Sequence, residues 1–164
     1  MLGPEGADRA QSLSNLGNLL REQGDLASAR PLFERAMAIY EHVLGPEHPY
    51  TASSLVSLAV LLETEKDLTG AGPLYERALA IWKKALGSDH PHTNIARGSL
   101  ARLLLTTGDA SGALLLAEAS LAGHEKLLGP DHPWTKASAG VRALALDASG
   151  RGGEAAALRA KFGV

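Results

Sequence analysis

The eight residues "LGPEHPYT", Leu44 to Thr51, contain two prolines, a glycine and a histidine, a composition typical of a break between two helices. The stretch recurs as "LGSDHPHT" from Leu86 and "LGPDHPWT" from Leu128, and in part as "LGPEGADR" from Leu2. Each copy begins 42 residues after the one before it. A fixed period of this length predicts stacked helical hairpins.

The residues of this stretch indicate how one helix ends and the next begins. Gly45 allows the left-handed conformation that terminates a helix, and Pro46 cannot continue one. Pro49 disfavours helical geometry at His48 and suits the first position of a new helix, whose positive end favours the charge of Glu47. The stretch is therefore predicted to be a hinge between successive units.

Each unit between two hinges has the pattern of a helical hairpin. Cutting at every Leu-Gly pair gives residues 2–43, 44–85, 86–127 and 128–164, and the first two units agree at 20 of 42 positions. Apolar residues spaced i, i+3, i+4 and i+7 predict a first helix, and small residues flanking an aromatic residue predict a closely packed second helix. In the first unit these positions are Leu13, Leu16, Gly17 and Leu20, followed by Ala29, Phe33 and Ala36. Gly24 and Asp25 between them predict the stop of one helix and the cap of the next.

These residues resemble the tetratricopeptide repeat. The spacing Leu13-x2-Leu16-Gly17-x2-Leu20 followed by Ala29-x3-Phe33 is similar to its consensus, with leucine where tryptophan often stands. The 42-residue period, the "HP" element and "PLYERALAI" are similar to the kinesin light chain type. The resemblance implies an all-α, right-handed solenoid of four helix-turn-helix repeats, one domain over residues 1–164. It also implies a non-catalytic module, without cofactor, that binds a protein or peptide partner.

Composition narrows the classes of partner. The formal charge of -2 and the dispersed charged residues provide no basic footprint for nucleic acid or an acidic membrane surface. With no cysteine, the chain has no disulfide, no thiolate zinc site and no cysteine nucleophile. The amino terminus lacks a signal-peptide pattern and no apolar run reaches the length of a spanning helix, so we expect a cytoplasmic protein.

Sequence motifs for catalysis or metal binding are weak. The cluster "SGRGG" from Ser149 follows no predicted strand, so it is a hairpin turn and not a phosphate loop. The recurring His48, His90 and His132 would lie about 10 Å apart in stacked helices, too far to share one zinc ion. We therefore expect these histidines to be structural, and we expect no enzyme activity.

Some positions depart from the repeat. Arg97 stands where Leu13 stands in the first unit, and Arg142 stands where Leu16 stands. Either these arginines extend towards solvent, or the last unit rotates to use Val141, Leu144 and Ala148 as its inner face. Two further positions, Pro31 and Pro73, lie inside predicted second helices and indicate a local bend or a late helix start.

The candidate binding surface is the wall that the first helices present, one step away from their packing face. In kinesin light chain type repeats, asparagines on this wall hold the backbone of an extended peptide, and here Asn15 and Asn18 match. The candidate residues are Ser14, Asn15, Asn18, Arg21, Val56, Ser57, Val60, Glu63, Gly98, Ser99, Arg102 and Leu105.

In the last unit, Val141 and Leu144 stand at the repeat positions of Ser57 and Val60. Several aromatic residues stand at repeated positions elsewhere in the units. We expect Val141 and Leu144 to be core residues, and Tyr40, Tyr50, Trp82 and Trp134 to pack between units. The alternative function is a structural or regulatory segment of a longer array that self-associates through its terminal helices.

Overall fold

The computed structural model describes residues 4–164, which form eight helices and no strand. The helices are α1 Pro4–Glu22, α2 Leu26–Leu44, α3 Pro49–Thr64, α4 Leu68–Leu86, α5 Pro91–Thr107, α6 Ala110–Leu128, α7 Pro133–Ala148 and α8 Gly152–Phe162. They follow one another as four helix pairs whose limits agree with the predicted units to within a few residues. The all-α class of helix-turn-helix repeats is confirmed.

The turn inside each pair requires one residue with positive φ. Gly24, Gly108 and Gly150 occupy this position with φ of 83°, 90° and 76°, and Lys66 takes the same conformation with φ of 67°. In three of the pairs, an aspartate then caps the second helix. Its Oδ1 accepts hydrogen bonds from Ser28 N, Gly70 N and Gly112 N in turn, at 3.1, 2.9 and 2.9 Å. The predicted stop and start signals are therefore confirmed.

The hinge between pairs is held by its own histidine and, in the first two hinges, by its threonine. His48 precedes α3, and its Nδ1 accepts a hydrogen bond from Tyr50 N at 3.2 Å. His90 and His132 cap α5 and α7 in the same way. Thr51 Oγ1 donates to Gly45 O at 2.8 Å, which ties the end of one helix to the start of the next. Since the free amides at a helix start need such acceptors, the recurring "HP" element is explained as a helix cap.

The glycine of the hinge takes positive φ but not the left-handed helical conformation that the sequence predicts. Gly45 has φ 98° and ψ 160°, a region open almost only to glycine. The helix ends at Leu44 as expected, and the chain then leaves in an extended direction.

The first compact unit, which ends at Ala85, is built around Phe33. This ring is fully buried and packs with Ala29 of its own helix and with Leu58 and Leu61 of α3. Gly17 of α1 lies against the ring, so that a Cβ at this position would stand 2.9 Å from Phe33 Cε1. The small-and-large alternation predicted from the sequence is therefore what brings α1 and α2 together.

One position of the predicted packing face is exposed. Leu16 is 47% exposed, whereas Leu58, its counterpart in the second pair, is 7% exposed. The difference arises because Leu58 packs against the second helix of the preceding pair, and α1 is the first described helix. The inclusion of Leu16 in the core was wrong.

The second compact unit, Leu86–Val164, has a core of small residues. Alanines of α5, α6 and α7 form one cluster, and Leu121, Ala139 and Phe162 form another. Arg142 donates to Glu118 at 3.1 Å while Ala143 and Leu146 are buried, so the last pair keeps the register of the others. The rotated alternative is wrong, since Leu144 is 52% exposed and Ala148 is also exposed.

Neither internal proline delays its helix. The second helices begin at Leu26 and Leu68, five residues before Pro31 and Pro73. A late helix start is therefore excluded, and each proline is accommodated inside the second turn on the exposed side of its helix. Across residues 4–164, none of the helices is long and apolar enough to cross a membrane.

Candidate functional site

The structure brings three of the predicted residues together in a pocket of the first compact unit, between its first and second helix pairs. Ser14 and Asn18 of α1 face Ser57 of α3, and the aromatic ring of Tyr40 from α2 lies behind them. The pocket has a volume of about 230 Å³. Its lining consists of Gln11, Ser14, Asn18, Tyr40, Tyr50, Ser53, Ser54 and Ser57, all of them polar.

Most hydroxyl groups of this pocket already donate a hydrogen bond within the protein. Ser53 Oγ donates to Pro49 O and Ser57 Oγ donates to Ser53 O, both at 3.2 Å. Tyr40 Oη donates to Gln11 Oε1 at 3.3 Å. Ser14 differs, because the residue is only 8% exposed and its Oγ has no hydrogen-bond partner among the described residues.

Three other predicted residues line a pocket of the second unit. Gly98, Ser99 and Arg102 of α5 face Val141 of α7, and Trp134 closes one side. The volume is about 210 Å³. The complete lining is Asn94, Ile95, Gly98, Ser99, Arg102, His124, Trp134, Ala137, Ser138 and Val141.

The two pockets are built from corresponding positions, 84 residues apart in the sequence. The chemistry of these positions differs. Gln11, Ser53 and Ser57 correspond to Ile95, Ala137 and Val141, and Tyr40 and Tyr50 correspond to His124 and Trp134. The repeat thus provides corresponding cavities in both compact units, with polar residues throughout the first lining and a mixture of polar and apolar residues in the second.

A buried polar network, which sequence reasoning missed, lies beneath the second pocket. Ser120 Oγ donates to Asn94 O at 2.7 Å, and His124 Nδ1 lies 2.9 Å from Ser138 Oγ. His124 Nε2 faces the carbonyl oxygen of Pro91 at 3.3 Å, an acceptor only, so Nε2 carries the hydrogen and Nδ1 accepts. The only available signal was that His124 occupies the column of Tyr40 and Trp82, both of which are buried.

This network makes stability depend on pH. Burial lowers the pKa of His124, which keeps the ring neutral. A histidine in the unfolded chain has a pKa of about 6.5, so below that pH the unfolded state binds more protons than the folded state. The contribution of neutral His124 to stability is therefore fully present above about pH 6.5 and is lost as the pH falls below it. We expect wild type to lose urea resistance as the pH falls through this range from neutral to mildly acidic. A His124→Gln variant should lose less, although His92, whose pKa burial also lowers, is present in both proteins. Equal losses in the two proteins would contradict the assignment.

The remaining predicted site residues lie outside these pockets. Asn15 is exposed and accepts a hydrogen bond from Gln11 Nε2 at 2.9 Å. Glu63 accepts a hydrogen bond from the hydroxyl of Tyr75, and Leu105 packs beside the alanine cluster of the second unit. Three more are partly buried on their helices, namely Arg21, Val56 and Val60.

Two aromatic residues at the pocket edges pack against the preceding repeat but stay half-exposed. Tyr50 is 54% exposed and stacks on Tyr40, with ring centroids 5.8 Å apart. Trp134 is 42% exposed and lies 6.0 Å from the ring of His124. Each of these rings therefore packs against a residue of the preceding repeat, as expected, and keeps part of its surface exposed, whereas Tyr40 and Trp82 are buried. Val141 is partly buried, but Leu144 is not a core residue.

The described residues hold no group of three or more histidine, aspartate or glutamate side chains that could bind a metal ion. The three hinge histidines each point a ring nitrogen at the amide of their own helix start. Ser149 to Arg151 form the turn between α7 and α8, and Gly152 and Gly153 already belong to α8.

Comparison with known proteins identifies the repeat. Residues 9–50 and residues 56–126 each match a Tetratricopeptide repeat family profile. A crystal structure of nearly identical TPR-like repeats from Podosopora anserina, in a protein classed with the kinesin light chains, is 30% identical. The match covers 95% of this chain and 74% of that one, with a TM-score of 0.86, and a point variant of that protein gives 0.87. BtubC (BKLC) from P. vanneervenii shares the fold at 19% identity and a TM-score of 0.85, over 93% and 61% of the two chains. A search among curated protein sequences gives no significant match.

Proposed function

Because the chain belongs to the tetratricopeptide repeat family, whose repeats are protein interaction modules, we propose that an extended segment of a partner protein binds along its first helices. The observation that carries this proposal is the pair of corresponding pockets, each lined by residues of two consecutive first helices. A peptide side chain that enters such a pocket contacts two consecutive first helices. In this proposal the module is non-catalytic and cytoplasmic.

The pockets suit side chains of a peptide. Each combines first-helix side chains with an aromatic or histidine floor from a second helix, which gives the site depth. Tyr50 and Trp134 stand half-exposed at the edges, and aromatic residues in that position are frequent anchors of protein interfaces. The buried network under the second pocket keeps its floor rigid, so little entropy is lost there on binding.

Peptide-display selection on the purified chain tests this proposal. We expect an enriched motif that wild type binds and that the Asn15→Ala, Asn18→Ala, Arg102→Ala triple variant loses by at least about tenfold, or about 1.4 kcal/mol. A matched control changes three exposed residues of the second helices, Arg35→Ala, Glu76→Ala and Lys83→Ala, and should bind as wild type does. If the triple variant retains the motif and the control loses it, the binding surface lies on the second helices.

One observation favours self-association as a second candidate. Leu16 and Leu19 are 47% and 51% exposed on α1, while their counterparts Leu58 and Leu61 are 7% and 0% exposed. A second copy could cover this face. Sedimentation of wild type beside a Leu16→Glu, Leu19→Glu variant distinguishes the two candidates, since only self-association predicts a dimer that the variant abolishes.

A further inference from the structure

The pocket of the first compact unit is lined by eight polar, uncharged side chains. We infer that it binds the neutral carboxamide of an asparagine or glutamine in the partner segment. This inference rests on the proposed function and adds the chemistry of the group that is recognised. It follows from the charge of the pocket, from its hydrogen-bond donors and acceptors, and from the corresponding pocket of the second compact unit.

Charge excludes an ionic group. None of the eight described residues that line this pocket is an aspartate, glutamate, lysine or arginine. A carboxylate or an ammonium group that entered would lose its hydration without gaining a counter-ion, and that loss opposes binding. The side chain that binds is therefore neutral.

Hydrogen bonding excludes an apolar group. The hydroxyl hydrogens of Ser53 and Ser57 are directed to carbonyl oxygens of α3, so these residues offer the pocket their oxygen lone pairs. Ser14 Oγ is buried without any partner among the described residues. An aliphatic side chain would leave the free lone pairs of Ser53 and Ser57 unused and Ser14 Oγ still without a partner, so a side chain that can hydrogen-bond is favoured over it.

The NH₂ and C=O groups of a carboxamide match these acceptors and donors. Its NH₂ group has two hydrogens to donate to Ser53 and Ser57, and its oxygen can accept from Ser14 after rotation about χ1 or from the amide of Asn18. The pocket is bounded by α1 on one side, by α3 on the other and by Tyr40 at its base, and its volume of about 230 Å³ is large enough for a side chain. The peptide backbone would instead run along its edge.

The corresponding pocket of the second compact unit shows which of these polar groups the repeat can replace. Ile95, Ala137 and Val141 replace Gln11, Ser53 and Ser57 at corresponding positions, and none of the three has a polar side chain. The second pocket therefore lacks the hydroxyl acceptors that Ser53 and Ser57 offer to a carboxamide in the first. These acceptors can be removed from the first pocket with residues that the repeat already accepts at those positions.

A library of random dodecapeptides displayed on phage is the probe. The full chain is compared with a Ser53→Ala, Ser57→Val variant, which copies the second pocket into the first. The matched control, Ala137→Ser with Val141→Ser, copies in the other direction. Thermal unfolding by circular dichroism confirms that each protein is folded.

The expected result is an enriched motif with asparagine or glutamine at one fixed position. Replacing that residue of the peptide by leucine or glutamate should weaken binding to wild type at least about tenfold, and to the control by the same factor. For the Ser53→Ala, Ser57→Val variant, the same replacement should weaken binding less than about threefold. A motif without a carboxamide, or discrimination that survives in the variant, overturns this inference and leaves the proposed function intact. Failure to enrich any motif overturns both.

Discussion

Phe33→Ala is expected to reduce the free energy of unfolding by about 3–5 kcal/mol. The ring is fully buried, it packs against Ala29, Leu58 and Leu61, and it is the contact through which α1, α2 and α3 meet. Truncation leaves a cavity that cannot collapse, since Gly17 and Ala29 have no larger side chain to fill it. Urea unfolding followed by circular dichroism measures the change.

A matched substitution shows whether the loss is specific to this site. Leu115 is 70% exposed, so Leu115→Ala should change the free energy of unfolding by less than about 0.5 kcal/mol. A loss below about 1.5 kcal/mol for Phe33→Ala would mean that the ring is not the core of the first unit.

Gly123→Ala should destabilise the chain by about 2–4 kcal/mol, although alanine is the better helix former. The added Cβ would stand 2.6 Å from Asn94 Cγ, well inside van der Waals contact. Asn94 cannot move aside freely, because its Nδ2 donates to Asp89 O at 3.0 Å and its Oδ1 accepts from Arg97 at 2.7 Å. The substitution therefore also breaks buried hydrogen bonds.

Gly140 is the natural control for Gly123. It lies inside α7, and nothing stands within 4 Å of a Cβ built on it. Gly140→Ala should therefore stabilise the chain by about 0.5–1 kcal/mol through helix propensity alone. Thermal unfolding of the two variants should move in opposite directions, and a shift of both in the same direction would refute the close approach of α5 and α6 at Gly123.

Much of the fold could be predicted because the signals are local. Proline, glycine and aspartate act within one turn of their own position, so the hinges and the hairpin turns agree with the structure. The exposure of a side chain was harder to predict from the sequence, because it depends on which other helices pack against the residue. Leu16 and Leu58 are the same residue type at equivalent repeat positions, yet among the described residues only Leu58 packs against the second helix of another pair.

The candidate site was predictable only in part. The columns of the wall follow from the helical period, which is why Ser14, Asn18 and Gly98 lie at pockets. The second helices contribute the pocket floors, and nothing in the spacing of Tyr40 or His124 relates them to the wall. The hydrogen bonds of the histidine network depend on distances between helices, which a one-dimensional pattern does not contain.

The central proposal is that a partner segment binds to the first helices. The most direct measurement is a map of amide chemical-shift changes in the ¹⁵N-labelled chain on titration with a selected peptide. We predict changes concentrated in α1, α3, α5 and α7 around the two pockets, with the exposed faces of α2 and α6 unchanged. Changes confined to the exposed faces of the second helices would contradict it.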